Sequence, residues 1–261
     1  MNPLVLLDKR DSVALLTLNR PERHNSLVPA LLQEMRVSLE AVQAQPDVRA
    51  VVLQANGGSF STGGDVRGFY EHMDALEAYA HRIVGLLNRV ILALIDLPVP
   101  VVAAVHGLVT GGSLGLVLGS DVVLVAPEAS FTPYYSVVGF SPDGGWTALL
   151  PGLIGPKRVA EVLACNHTIT AQQAVEWGLA NRLVPAERIR EEALKAAQAI
   201  AAKKAGSLRH TKRLLGMAYG DLAARLEAER SRFVQQIATQ EAQSGLVAFL
   251  ERRRSPNGEA V

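Results

Sequence analysis

"VPVVAAVHGLVTGGSLGLVLGSDVVLVA", Val99–Ala126, decides the fold. Its length and apolar character raise the question of a membrane span, but His106, Asp121 and a run of glycines interrupt it. It reads as strand, loop, short helix and strand in a soluble core. "VVAAV" and "DVVLVA" are short β-branched runs of the kind that make buried strands. Between them, Gly112, Gly115 and Gly119 recur at a spacing that brings a helix close to a neighbour. Upstream, "SVALLTL" (Ser12–Leu18) and "RAVVLQA" read as two more strands. Pro29 opens a helix through about Gln43, since proline suits a first turn. A helical region runs from about Val66 to Ile95 and is ended by Pro98 and Pro100. Strands separated by helices imply right-handed crossovers in a mostly parallel sheet.

From Gly155 onward the pattern turns helical. "GPKRVAEVLA" has Pro156 in its first turn, and "TAQQAVEWG" has the Thr170–Gln173 spacing of a capping box with Gly178 as its stop. Glu187–Lys204, Leu208–Tyr219 and Asp221–Gln240 all read as helices. The chain is therefore expected to divide into a core over 1–190 and a helical region over 191–261. Its last residues, "RRRSPNGEAV", read as a loose end.

Of the 261 residues 49% are hydrophobic and 20% charged, an ordinary globular balance. A net charge of +1 supplies no field to attract nucleic acid or an anionic membrane. One cysteine, Cys165, excludes a disulfide framework within the chain and fits a reducing, cytoplasmic setting. It closes an apolar helical pattern and is expected to be a buried structural thiol. "MNPLVLLDKRDS" lacks the basic and apolar regions of a signal peptide. The histidines show no zinc-binding spacing, and no metal or redox cofactor is implied.

Two glycine-rich turns each follow a strand: "FSTGGD" after "RAVVLQA", and "HGLVTGG" after "VVAAV". Ligands of open α/β sheets bind at such strand ends. Glycine lets a ligand approach the backbone and its N–H donors, and two such turns facing one pocket would form an oxyanion hole. "GGSLG" also matches the G-x-S-x-G elbow of hydrolases, but "HGLVT" intervenes where that elbow leaves its strand directly. Ser113 reads better as a first-turn helix residue. "VVGFSPDGGW" (Val137–Trp146) holds the one remaining oddity. Asp143 is its lone charge, and no Lys or Arg occurs between Arg89 and Lys157. An aspartate before two glycines either caps a helix starting near Gly144 or performs chemistry.

With these residues in place, the chain resembles the enoyl-CoA hydratase/isomerase (crotonase) superfamily over nearly its whole length. "LTLNRPERHNSL", "FSTGGDV", "PVVAAVHGLVTGGSLGL", "SDVVLVAPEASFT", "GFSPDGGWTALLPGLIG" and "ITAQQAVEWGLANRLV" occur in the family's order. The resemblance implies an α/β fold with a crotonase-like ββα-spiral core and a C-terminal helical region. It also implies assembly into a trimer or hexamer and an acyl-CoA thioester as substrate, coenzyme A being part of that substrate. The oxyanion N–H groups would belong to Gly64 and Gly112. Ser61 and Gly63 of the same loop would line the substrate site, as would Asp65 and Val66 through their backbone. Arg23 would meet the CoA phosphates. Phe249 and Arg252 would cover the nucleotide of a neighbouring subunit, and Tyr135 would stand in the acyl pocket.

The departures from the family pattern bear on the reaction. Hydratases use two glutamates, and this chain has Gly115 and Tyr135 at those positions. "SPDGG" resembles the aspartate-dependent branch. That branch includes ring-opened and epoxy-phenylacetyl-CoA isomerases and some Δ3,Δ2-enoyl-CoA isomerases of fatty acid metabolism. The resemblance therefore implies an enoyl-CoA isomerase in which Asp143 moves a proton from C2 to C4 through a dienolate. Four other readings stay open: an enoyl-CoA hydratase at the same site, Asp143 as the nucleophile of a 4-chlorobenzoyl-CoA-type dehalogenase, a CoA-thioester hydrolase, and a non-catalytic acyl-CoA binding protein.

Overall fold

In the computed structural model, residues 2–217 and 220–252 are described; 1, 218–219 and 253–261, which include the end of the expected Leu208–Tyr219 helix and most of the expected loose end, lie outside. The runs read as buried strands pair side by side. Strand β1 (Val5–Arg10) lies antiparallel to β2 (Val13–Leu18), which is parallel to β3 (Ala50–Ala55). The sheet continues in parallel through β4 (Val101–Val105), then skips β5 (Leu108–Thr110) to reach β6 (Val122–Val125). A second small sheet joins β5 to β7 (Ser130–Thr132) and β8 (Ile169–Thr170). Two-residue β9 (Arg182–Leu183) closes the main sheet beside β6. The sequence reading passed over β1, whose side chains after Val5 are exposed and show no alternation.

The sheet is covered on both faces, as parallel sheets are. One face packs on α1 (Pro29–Gln43) and the long α3 (Leu76–Asp96), which follows the short α2 (Val66–Glu71). Alpha-helix α3 is long and apolar enough to cross a membrane by composition, but it is a buried core helix here, with Val90, Ile91 and Leu94 fully enclosed. The expected close packing of Gly112, Gly115 and Gly119 is present. A Cβ on each would meet Leu87, Ile91 and Leu94 of α3 at 2.8, 2.4 and 3.2 Å. Two of these glycines flank or lie in the short α4 (Leu114–Leu118).

The other face, built from Val13, Leu15, Ala50, Val52, Val102, Ala104 and Leu124, packs on Ile189, Ala193, Ala197 and Ala201 of α9 (Ile189–Ala201). The expected division at 190/191 thus falls inside a helix that completes the sheet's own core. Before α9 come α5 (Tyr135–Val138), α6 (Pro151–Ile154), α7 (Pro156–Ala164) and α8 (Ala171–Glu176). Thr170 caps α8 with the reciprocal Gln173 bonds that its spacing predicts, and Gly178 stops it at φ +85°. Cys165 is exposed, contrary to expectation. The chain leaves the helix there (φ −92°, ψ 1°), so the apolar stripe of Val159 and Val162 ends before it.

After α9 follow α10 (Ala205–Met217), α11 (Leu222–Ile237) and α12 (Gln240–Arg252). Lys212 pins α10 to the sheet. Its buried ammonium donates to the carbonyls of Leu94 and Val99 and to Asp121 Oδ2 at 2.9, 3.1 and 2.7 Å. Gly245 lets α12 lie on α5, where a Cβ would come within 2.2 Å of the Val138 carbonyl. Gly139 meets the Ala242 backbone in the same contact.

Candidate active site

The two glycine turns are joined by backbone pairing. Ser61 N–H donates to Leu108 O and Thr110 N–H donates to Ser61 O, both at 3.1 Å. Gly63 can then press on the second turn. Its φ is +71°, and a Cβ there would lie 2.5 Å from Thr110 O and 3.4 Å from Gly111 Cα. Only glycine fits both that dihedral and that approach. Gly64 comes next, under the ring of Phe69, with its backbone bridged to Leu27. Ser113 is buried and its hydroxyl is committed, donating towards Ser61 O (2.9 Å) and Thr110 O (2.7 Å). It locks the turn and serves no histidine, so the hydrolase elbow is not built here.

Asp143 meets the second turn from the opposite side. A Cβ on Gly112 would fall 2.9 and 3.1 Å from its two carboxylate oxygens. Asp143 is 6% exposed, and Tyr135 Oη donates to its Oδ1 at 2.6 Å and to its carbonyl at 3.0 Å. Burial pushes the Asp143 carboxyl up to about 7, against the Tyr135 hydrogen bond and with help from the charge of Glu229. Burial and the Asp143 charge push the Tyr135 hydroxyl well above its ordinary value, so it stays a donor. Tyr135 follows Tyr134, which is held at φ +59° with its N–H on Asn166 Oδ1 at 2.8 Å.

No helix starts at Gly144. Residues 144–150 are successive turns, with Gly144 and Gly145 at φ +66° and +88°. Backbone N–H groups of this turn are bonded instead by Glu229 of α11, which sequence reading missed. Glu229 is 5% exposed and accepts from the N–H groups of Gly145, Thr147 and Ala148, each at 2.8 Å, and from Thr147 Oγ1 at 2.7 Å. Trp146, fully buried, donates from Nε1 to Gly111 O at 2.8 Å and so props the glycine turn.

The remaining expected residues sit around this centre in different ways. Asp65 caps α2 by accepting from Arg67 N and forms ion pairs with Arg20 (2.8 Å) and Arg23 (3.2 Å). Burial works to raise its carboxyl, but the Arg20 bond and the Arg23 charge outweigh that and hold it below its ordinary value. Arg23 is thus engaged with Asp65. Ser61 is buried and its hydroxyl donates to Asn25 O at 2.8 Å. Val66 opens α2 beside them. Phe249 lies against Tyr134 of its own chain, ring centroids 6.3 Å apart, and Arg252 is exposed at the end of α12. A cavity of about 540 Å³ just upstream of Asp143 is lined by Phe140, Ser141 and Pro142 and by Arg232 and Gln236 of α11. Among the described residues no three His, Cys, Asp or Glu side chains cluster closely enough to hold a metal ion.

A profile of the enoyl-CoA hydratase/isomerase family matches residues 8–259. The chain is 32% identical to a crotonyl-CoA hydratase of Syntrophomonas wolfei, over 96% of each chain. It is 37% identical to a probable enoyl-CoA hydratase of Mycobacterium tuberculosis, over 87% of this chain and 82% of the relative. Among solved structures, an enoyl-CoA hydratase/isomerase from Mycobacterium paratuberculosis superposes with a TM-score of 0.87 at 27% identity, over 95% of this chain and 99% of the other. A monofunctional enoyl-CoA isomerase from M. smegmatis superposes with a TM-score of 0.71 at 32% identity, over 84% and 94%.

Proposed function

The chain belongs to the enoyl-CoA hydratase/isomerase family, and from that premise we propose that it is an isomerase whose single acid/base is Asp143. One observation carries the reading: the buried carboxylate of Asp143 lies against Gly112 of the second glycine turn, where burial pushes its pKa up to about 7. A general base works best when its pKa lies near the operating pH.

In this mechanism the Gly64 and Gly112 N–H groups donate to the thioester oxygen of a 3-enoyl-CoA. Asp143 removes a C2 proton, and the electron pair moves into a dienolate held on that oxygen. The protonated Asp143 then returns the proton to C4, giving the conjugated 2-enoyl-CoA with no net gain or loss of atoms. Each oxyanion donor is worth about 3 kcal/mol of transition-state stabilisation. Tyr135 keeps Oδ1 occupied, leaving Oδ2 as the oxygen that shuttles the proton.

Hydration needs a second acid to pair with the first. Gly115 leaves no room for one, since a Cβ there would lie 2.7 Å from Gly144 O. The carboxylate nearest in charge, Glu229, has both oxygens bonded to the Gly145–Ala148 turn. These points favour isomerisation over the hydratase activity named for several relatives. Cytoplasmic location and assembly into a trimer or hexamer belong to the same reading. Exposed Leu214, Leu215 and Met217 on α10 fit a chain that associates with itself, and sedimentation would measure the assembly.

The test is incubation with a 3-enoyl-CoA and, separately, with crotonyl-CoA. The reading expects conjugated product from the first and no 3-hydroxyacyl-CoA from the second, with Asp143→Asn inactive but still binding CoA esters. Hydration of crotonyl-CoA without isomerisation overturns it. Release of free CoA thiol would point to thioester hydrolysis instead.

A further inference from the structure

We propose that Glu229 is a positioning residue for the reaction: from α11 it fixes the turn that aims Asp143 at the oxyanion glycines. This rests on Asp143 being the acid/base. The turn is held only in part by its own bonds, the N–H groups of Leu149 and Leu150 donating to Gly145 O at 2.8 and 3.0 Å. Residues 144–150 form neither helix nor strand, and they open on two consecutive positive-φ glycines, a residue type that loses more conformational freedom on folding than any other. Glu229 adds the tie to the rest of the fold by accepting four hydrogen bonds from Gly145, Thr147 and Ala148. Charge-assisted bonds to backbone N–H are among the stronger kinds. Asp143 is two residues from the first of these anchors and is held from the other side by Tyr135.

The same anchoring reaches the other half of the site. Trp146, between two anchored residues, donates to Gly111 beside the oxyanion Gly112, and Gly144 abuts Gly112 itself. A shift of the turn would therefore move base and oxyanion donors relative to each other. Glu229 also acts through its charge. Burial first, and then the Glu229 carboxylate, favour the protonated form of Asp143, with the Tyr135 bond opposing. From α3, apolar Leu87 and Ile91 face this region, so Tyr135 and Glu229 are the titratable groups that bear on Asp143.

Three variants of the full-length chain test this: Glu229→Gln, Thr147→Val and Asp143→Asn, with conversion of a 3-enoyl-CoA followed by absorbance across pH. Glu229→Gln is expected to lower kcat by roughly 10- to 100-fold, the scale of a sub-ångström to ångström misplacement. KM should change little, and the acid limb of the pH profile should move to lower pH, because the lost charge had favoured protonated Asp143. Thr147→Val removes one anchor and keeps the charge, so kcat should fall several-fold with the limb unmoved. A folded Glu229→Gln with wild-type kcat and an unmoved limb overturns the proposal, as does a raised KM with unchanged kcat. If Glu229→Gln does not fold, Thr147→Val decides: lowered kcat at unchanged KM supports the role, and wild-type kcat overturns it. If Asp143→Asn keeps full activity, the acid/base reading fails, and the positioning role fails with it.

Discussion

Asp143 carries a cost that its own titration makes measurable. Its folded pKa lies about three units above the ordinary carboxylate value, so the folded chain binds a proton more tightly than the unfolded one. Linkage then fixes the sign. The contribution of Asp143 to stability is highest where both states are protonated, below about pH 4, and falls as pH rises to about 7, by up to about 4 kcal/mol. Asp143→Asn removes that dependence. Its melting temperature, relative to wild type, should be higher at pH 8 than at pH 5. Tyr135→Phe should act on activity in the opposite sense to loss of Glu229. Without the donor on Oδ1 the charged form loses support, so the acid limb of the pH profile should move to higher pH. Gly115→Glu, which restores a hydratase-type residue, should not yield a hydratase. Its Cβ would sit 2.4 Å from Ile91 Cδ1 and 2.7 Å from a backbone carbonyl, and overpacking of this kind costs about 1–3 kcal/mol. Thermal melts and a crotonyl-CoA assay would check both halves of that statement.

At the scale of elements, legibility followed locality. The β-branched runs that became β3 and β4, the Pro29 start of α1 and the Thr170–Gln173 cap are set by residues within a few positions of one another. The strands that were missed are short or exposed. Neither β8 nor β9 has more than two residues, and each exists because a neighbour offers an edge. The same rule divides the site. Gly112, Asp143 and the glycine turns were visible because their residue types are unusual in an apolar stretch. Glu229 was not, because in sequence it is one acid on a charged helix and its partners lie 81–84 positions away. Only folding gives it a meaning. Helix α12 offers a test at this scale. Gly245→Ala should lift α12 off α5, since the added methyl would meet the Val138 carbonyl at 2.2 Å. Because α5 carries Tyr135, activity should fall by more than the modest loss of stability, read by comparing kcat with the melting temperature.

At the scale of the whole molecule, the expected core over 1–190 and the described helices after it are joined by shared packing and hydrogen bonds. Helix α9 finishes the second face of the sheet, Lys212 ties α10 to α3 and Asp121, and α11 reaches the turn that carries Asp143. A single cooperative transition is therefore expected in scanning calorimetry, with far-UV and near-UV signals lost together. Two resolved transitions would show that the helices unfold on their own.

The dry setting of Asp143 also makes ligand binding a proton-counting event. With its pKa pushed up to about 7 by burial, that carboxyl exchanges its proton in the neutral range. An acyl chain arriving beside it removes its last solvation and favours the neutral form. Binding of an unreactive CoA thioester should therefore draw a fraction of a proton from the buffer. The heat measured by titration calorimetry would then depend on the ionisation enthalpy of the buffer chosen, and in Asp143→Asn that dependence would vanish.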